Sequence, residues 1–572
     1  MAQEHKPVDS FRLHQLEEVV VTATRNERAL GNVAVPVTIV SHKDIEQAGS
    51  LRLKDILQEQ TGLFLTSGFG TGLQMQGLNP DYTMILLDGE PLVGRTAGIL
   101  DLNRLALGNV KKIEIVQGPS SSLYGSEALA GVINIISDQS YQPRLEASFR
   151  YGTYNSSNAS LEAAGRAGKW GMTAFLDRYH TDGYSVRPYT VERSSQPIDR
   201  LTAHWRINNS LSDRASLSVS VRFNRDHIQN ELAVANNGQL TYSKGRELNK
   251  DWNIAPVFNY QLSARVKTAL RLYGTLYEGS QQLATGSGDG YDDYFRQQFY
   301  RMENQTDVKL ADNLSMLAGL GYVRELVNSN RYNSKYDQKS NQVKYGFAQA
   351  EWKAVNRLTL LGGFRYDDNR LYASALSPKL AALYKLNDKW QLRFSFGKGF
   401  KAPDFRQLYL NFTNTAAGGY SVFGALEAQE VIDWQAQQGL IAVVLPDYYL
   451  LQSLQPEIST GWNAGFTAFP LKGLQWKLNL FRNDIKNLIE SRLVATRKDN
   501  SQIYSYLNVQ EAYTQGLQID CLYQPSDHWT LSAGYQYLLT ADKKELAQVK
   551  TGQYYYTRDQ NNYSIPVKKS DY

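Results

Sequence analysis

The sequence predicts a mostly β fold whose larger, C-terminal part is a transmembrane antiparallel β-barrel. Three observations predict it. From about residue 140 onward, segments of roughly ten residues alternate apolar and polar side chains, as strands with one lipid-facing and one lumen-facing side do. The connections alternate too, short polar turns against long irregular segments. No stretch of the chain is an apolar run long enough to form a membrane helix, so a membrane can be crossed only by strands.

The alternation is explicit in Leu145, Ala147, Phe149 and Tyr151 against Glu146, Ser148 and Arg150. It recurs in Trp390, Leu392, Phe394 and Phe396, in Leu474, Trp476, Leu478 and Leu480, and in Trp529, Leu531, Ala533, Tyr535 and Tyr537. A soluble β-sandwich alternates as well, but it does not trim one rim and elaborate the other. Short turns fall at Leu211–Arg214, Leu310–Asn313, Leu386–Lys389 and Gln524–His528. Long segments fall at about 181–199, 227–249, 280–296, 326–341 and 398–455. In an outer-membrane barrel the short turns face the periplasm and the long loops face outside. Trp170, Trp352, Trp390 and Trp529 lie beside the short turns, where an interfacial girdle places aromatics. Counted this way, about 17 strands of roughly nine to eleven membrane-crossing residues precede Leu539.

Composition narrows the function classes. The 572 residues are 42% hydrophobic and 20% charged, with 37 Tyr, an aromatic bias above ordinary globular usage. The net charge of +5 is dispersed, with no basic block that would suggest nucleic acid as a partner. A single cysteine, Cys521, excludes an internal disulfide and a multi-cysteine metal site. The opening MAQEHKPVDS has no apolar h-region, and the expectation is that a native secretory signal has been replaced by the start Met. No Gly-rich phosphate loop, HExxH or nucleophile motif is present, so the sequence calls for neither an enzyme nor a cofactor.

The first part of the chain carries the most specific motif. In Lys111–Ile136, KKIEIVQGPSSSLYGSEALAGVINII, two β-branched runs flank a corner of small residues. Ile113, Ile115, Val132, Ile133, Ile135 and Ile136 can bury on a sheet, while Gly118, Pro119, Gly125 and Gly131 suit a close passage of backbones. This run resembles the end of the plug domain of TonB-dependent outer-membrane receptors, and ILLDGEPL at Ile85–Leu92 resembles another of its signatures. On that resemblance Asp88, Gly89, Gly118, Pro119, Tyr124, Gly125 and Gly131 are plug-signature residues. EEVVVTATR at Glu17–Arg25 is similar to a TonB box, which makes Glu18, Val19, Val20, Val21, Thr22 and Ala23 the expected TonB contacts. Such a segment binds by adding its backbone to an exposed sheet edge; read from its residues alone, it serves equally as the first strand of the plug sheet.

The resemblance implies an N-terminal extension at 1–24, an α/β plug in the lumen at 25–138 and a barrel at 139–572. Barrels of the family have about 22 strands, so the expectation is a chain lacking about five at its C-terminal end. Implied partners are TonB with ExbB and ExbD in the periplasm, a small metal-chelate ligand and the lipid of the bacterial outer membrane; a surface lipoprotein partner stays open. The chain departs from the family pattern at Gln76 and Gln117, where basic residues are usual. Their amides are expected to reach barrel carboxylates, more weakly than a charge would.

Ligand contacts are expected from the plug apex and an outer loop. The apex segments 67–79 and 93–100 contribute Phe69, Gln74, Met75, Gln76, Asn79 and Arg95, and the loop between 399 and 455 contributes Arg406, Tyr409, Phe412, Tyr420 and Phe423. Cations and aromatics suit an anionic ferric siderophore or related iron chelate, and energy-coupled uptake of one is the leading reading. Haem is an alternative that needs an axial ligand; His180 and His227 are candidates, and no histidine lies in the apex or in 398–455. KAP at 401–403 and LQPE at 454–457 resemble haem-receptor motifs that also occur in siderophore receptors. Cobalamin is a further alternative. Readings from other classes are a passive porin, which would lack residues 17–136, and a glycan or peptide importer, which usually has a longer barrel and an extra domain.

Overall fold

The structure is a computed structural model. It describes residues 18–568 apart from 69, 96–97, 187–192, 237–238, 285–290, 333–337, 415–418, 527, 552–553 and 559–563. Two parts fill it, a polar-walled barrel and a small α/β domain inside.

The inner domain begins with two short strands, β1 (Val19–Val20) and β2 (Arg28–Ala29), paired antiparallel. Its main sheet joins β3 (Val37–Ser41), β8 (Val110–Gln117), β9 (Gly131–Ser137), β6 (Thr83–Leu87) and β7 (Glu90–Pro91) in that order. A hairpin of β4 (Leu63–Gly68) and β5 (Gly70–Met75) stands apart from it. The first of three short helices, His42–Ala48, starts at a capping box in which Ser41 and Asp44 bond each other's backbone, satisfying donors a helix start leaves free. The β-branched runs expected to bury do so: Ile113, Ile115, Ile133 and Ile135 form one core with Ile56, Leu57 and Ile85. The TonB-box-like residues are thus a separate two-residue strand and not the first strand of the main sheet.

The wall consists of thirteen strands followed, after a long excursion, by four more. The first seven are β10 (Arg144–Gly152), β11 (Ser156–Ala167), β12 (Trp170–Thr181), β13 (Ile198–Ser212), β14 (Ala215–Asn236), β15 (Gln239–Ser263) and β16 (Val266–Ala284). The next six are β17 (Tyr291–Ala311), β18 (Leu314–Ser329), β19 (Lys339–Val355), β20 (Leu358–Asn369), β21 (Ala375–Asn387) and β22 (Trp390–Lys401). The excursion holds β23 (Asn411–Asn414), β24 (Tyr420–Phe423) and β25 (Ile441–Val444); the wall resumes with β26 (Glu457–Ala468), β27 (Leu474–Arg497), β28 (Gln502–Ser526) and β29 (Trp529–Asp542). Each wall strand pairs antiparallel with the next, and β22 pairs directly with β26. Among the described residues the outer edges of β10 and β29 have no strand partner.

Alternation along β21 shows why the wall stands in lipid. Leu376, Leu380 and Tyr384 are exposed outward, whereas Ser377, Lys379, Ala381 and Leu383 are buried toward the lumen. Of the four tryptophans expected in the girdle, Trp170 and Trp352 are exposed near two-residue turns and Trp529 is exposed at the start of β29, whereas Trp390 is half-buried. The segments 227–249 and 280–296, read as irregular, are largely continuations of β14–β15 and β16–β17, paired for instance at Gln229 with Arg246 and at Gln281 with Asp293. Beyond the hydrocarbon the outer face no longer has to be apolar, so pairing continues while the period-two signal disappears.

Replacing the lipid-facing Leu380 by Arg should lower barrel stability by about 2–4 kcal/mol, read from urea unfolding in lipid vesicles. Replacing the equally exposed Glu146, at the start of β10, by Arg should change it by much less.

Candidate functional site

The segment expected to bind TonB is held against the inner domain by its own backbone. The Glu114 carboxylate on β8 accepts from Val21 N at 3.0 Å, Thr22 N at 2.7 Å and Thr22 Oγ1 at 2.6 Å. Asn134 Nδ2 donates to Thr22 Oγ1 at 3.0 Å and the Tyr124 hydroxyl to the Thr22 carbonyl at 2.9 Å. Burial pushes the Tyr124 phenol up to about 12, so it stays protonated and donates throughout the physiological range. Lys112 Nζ pairs with Glu114 at 2.7 Å and donates to the Val19 carbonyl. Val20 and Ala23 pack with Val33, Val35 and Val116. Glu18 is half-buried and only Val19 is exposed. With the amides of Val21 and Thr22 spent on Glu114, the segment cannot add to a partner sheet until it leaves this pocket.

Arg25 ties the end of this segment to the wall through Glu303 at 2.8 Å, its guanidinium over the rings of Tyr124 and Phe347. A cavity of about 290 Å³ opens beside Val21, lined by Arg25, Glu90, Tyr124, Arg206, Arg271 and Arg301 among others.

The inner domain sits on two chemically different sides of the lumen. Toward β12–β19 the contacts are ionic: Arg52 with Asp177 at 2.9 Å, Arg104 with Asp251 at 2.6 Å, Asp88 with Arg206, Glu90 with Arg271 at 3.0 Å and with Arg301, and Arg28 with Glu351 at 3.2 Å. Toward β22 and β26–β28 they combine one ionic cluster, Asp81 with Lys401 at 3.3 Å and Lys401 with Glu457 at 3.7 Å, with amides. Gln76 Nε2 donates to Asn463 Oδ1 at 3.1 Å, and Asn483 Nδ2 donates to Gln76 Oε1 at 3.0 Å. The expectation that Gln76 reaches barrel carboxylates is therefore corrected. The wall matches the missing charge with neutral partners, since a lone carboxylate opposite an amide would be buried without compensation. Asn463 and Asn483 were legible only as inward positions of an alternating strand.

The plug-signature residues are brought together by turn geometry. Asp88 (φ 52°) and Gly89 (φ 82°) make the tight turn between β6 and β7, the left-handed conformation that Asp and Gly tolerate best. Asp88 accepts from Ser137 N at 2.9 Å and Ser137 Oγ at 2.8 Å besides Arg206. Burial, the largest single influence, would raise its pKa, but the Arg206 charge together with His204 and the Ser137 hydrogen bonds holds the carboxyl below its ordinary value. Gly118, Gly125 and Gly131 all have positive φ, with Gly118 against Asn463, Gly125 against Arg365 and Gly131 against the Val116 carbonyl. Pro119 fits against Gly397 and Gly461 of the wall.

The expected ligand residues divide into surface and interior. Asn79 is exposed and Gln74 half-buried, bonded to each other at 3.2 Å. Met75 and Gln76 are fully buried beneath them, and Phe69 lies outside the described residues. Arg95 donates to the carbonyls of Pro80, Thr83 and Gly98 and pairs with Glu127 at 3.3 Å, so its charge is engaged inside the domain. Arg406 pairs with Asp404 at 3.4 Å beside Tyr506. Tyr409, Phe412 and Tyr420 form an aromatic patch with Tyr332, Phe405 and Tyr504, with Arg331 over Phe412 and Lys339 over Tyr409. Phe423 is not part of it; it is buried with Ala428, Ile432, Val494 and Ile503 in the loop's own core. Tyr332, just after β18, and Tyr504, near the start of β28, were missed because they lie far from the loop in sequence, and sequence offers no signal of that meeting. His180 is paired with Asp182 and Asp199.

Family comparison decides what this assembly is. The model of the TonB-dependent receptor plug domain matches residues 29–132, and that of the TonB-dependent receptor-like β-barrel matches residues 131–570. The chain belongs to the TonB-dependent receptors. These are outer-membrane proteins and not enzymes. The receptor is similar to the vitamin B12 transporter BtuB of Vibrio cholerae, 29% identical over 407 residues that make up 69% of this chain and 64% of the transporter; it thus spans less than two thirds of that relative's length. A mutant of the ferric enterobactin receptor PfeA of Pseudomonas aeruginosa has the same fold, with a TM-score of 0.72 at 19% identity, covering 89% of this chain and 81% of that one. The siderophore receptor PirA of the same organism has a TM-score of 0.69 at 18% identity, covering 88% and 85%.

Asp88→Asn should destabilise the receptor by about 3 kcal/mol at pH 7, because Arg206 is left buried without its charge. With the folded carboxyl depressed, that stabilisation is complete above the unfolded value of about 4 and is lost as pH falls through the lower folded value. The gap between parent and variant in thermal unfolding should therefore be constant from pH 8 to 5 and close below pH 4.

Proposed function

We propose that the protein is an energy-coupled importer of a metal chelate across the outer membrane, with residues 25–138 acting as the plug, 139–572 as the wall and Glu18–Ala23 as the TonB contact. The observation that carries the proposal is the sequestered segment itself. A lumen filled by a bonded domain is no passive pore, and a β-branched segment whose backbone donors are capped by one carboxylate is built to be released. ExbB and ExbD would supply the energy through TonB. Ligand would rest on Gln74 and Asn79 below and on Tyr409, Phe412 and Tyr420 above, the binding free energy differing between the two states of the plug.

A ferric siderophore or related iron chelate is the leading cargo, held by the ring faces and by Arg331 and Lys339 above them. A corrinoid is the second reading, and a specific observation favours it. Arg95 and Arg406 are engaged by Glu127 and Asp404, so neither is the cation that an anionic chelate would call for at the apex, and the curated relatives at 29% identity are vitamin B12 transporters.

Titrating the purified receptor with cyanocobalamin, haem and a ferric tris-catecholate separates the cargoes; haem binding at nanomolar concentration with a histidine-ligated spectrum would overturn both readings. Removing residues 17–24 should abolish uptake by cells and leave binding intact. Uptake that survives this deletion would exclude energy coupling through the segment.

A further inference from the structure

The corner Gly118–Ser126 touches both the root of the outer loop and the TonB-contact segment. The loop 402–456 stands on two legs, β22 and β26, and both legs present glycines to the corner. A Cβ on Gly397 would lie 3.0 Å from Pro119, and one on Gly399 2.5 Å from Ser121 Oγ. Gly461 faces the same proline ring with no room for a methyl group. Where the loop begins, the Ala402 N–H donates to Ser126 Oγ at 3.0 Å. On the neighbouring β20, Arg365 donates to the Leu123 carbonyl at 3.3 Å.

Two residues before Ser126, the Tyr124 hydroxyl holds the Thr22 carbonyl. The helical turn Ser121–Tyr124 joins these contacts, its first and last residues bonded through Gly125 N to Ser121 O at 2.9 Å and Tyr124 N to Ser120 O at 3.2 Å. Such a turn, bonded internally and packed between glycine-lined strands, moves as a body. Strand β8 enters the corner directly and carries Glu114, the acceptor that caps Val21 and Thr22.

We propose that the Gly118–Ser126 corner transmits a displacement of the 402–456 loop to the Glu18–Ala23 segment, with Ser126 as the input contact and Tyr124 as the output contact. Both are positioning residues. The purpose of the transmission rests on the import reading, but the contacts exist without ligand and are tested without it. Shifting Ala402 moves Ser126, the turn carries Tyr124 away from Thr22, and the Thr22 carbonyl loses its hydroxyl donor while Glu114, Asn134 and Lys112 keep their bonds to the segment. Two arrangements of one packed element, biased from either end, are what such coupling requires.

The test is spin-label mobility at Val19→Cys in the full chain, with Cys521→Ala removing the native thiol. The parent should show an immobilised spectrum. Tyr124→Phe, which keeps the ring under Arg25 and removes only the hydroxyl, should raise the mobile fraction several-fold. Ser126→Ala should raise it too, although residue 126 bonds to the loop and not to the segment, and Ser126→Thr should restore the parent spectrum. The double variant should exceed the larger single effect by little, as residues acting through one element do. An unchanged spectrum in Ser126→Ala, or strictly additive effects, would overturn the proposal. Thermal unfolding of each variant separates loss of fold from release of the segment. The import reading stands or falls separately, on uptake by the deletion lacking residues 17–24.

Discussion

Hydrocarbon offers no hydrogen bonds to a backbone, and the rest of this structure depends on that constraint. From β11 to β28 each wall strand pairs with a neighbour on both sides, which leaves side chains alone to distinguish lipid from lumen there. Because strands alternate, an apolar outside forces an inside available for polar groups. Glu303, Asp251, Asp226 and Arg200 are almost wholly buried there. A domain seated in such a lumen has to present charges and amides in register with the wall, and this plug does so on both of its sides.

The two sides of the seat differ in physical character. Buried ion pairs gain little net free energy over an apolar contact, yet breaking one strands a charge at high cost. Toward β12–β19 the plug is therefore held in one geometry and resists partial displacement. Toward β26–β28 the neutral Gln76, Asn463 and Asn483 exchange hydrogen bonds that solvent can replace at a smaller penalty. The root of the long loop carries an ionic contact of its own, with Lys401 at the end of β22 between Asp81 of the inner domain at 3.3 Å and Glu457 at the start of β26 at 3.7 Å.

The same economy of partners closes the Glu18–Ala23 segment. Thr22 uses its amide, its hydroxyl and its carbonyl within the plug, so nothing of it is left for another protein in this state. Glu114 is itself paired with Lys112, so the buried acceptor has a cation beside it. Arg25, pinned between Glu303 and the Tyr124 ring, sets where the segment joins the domain.

By itself the sequence determined what repeats along the chain or is strictly local. Period-two alternation marked the seventeen wall strands, tryptophans beside two-residue turns marked the girdle, and small residues with β-branched flanks marked the corner at Gly118–Gly131. These signals are readable because lipid and tight turns act on each residue separately. Only the tertiary structure decided the rest. That most of 227–249 stays paired, that Phe423 is core, that Arg95 is spent on carbonyls of its own domain, and that Gln76 meets Asn463 and Asn483 all depend on partners that only the folded chain brings together or on strands already outside the membrane. A side chain's role there is set by what closes around it, and one chain's order of residues carries no record of that meeting.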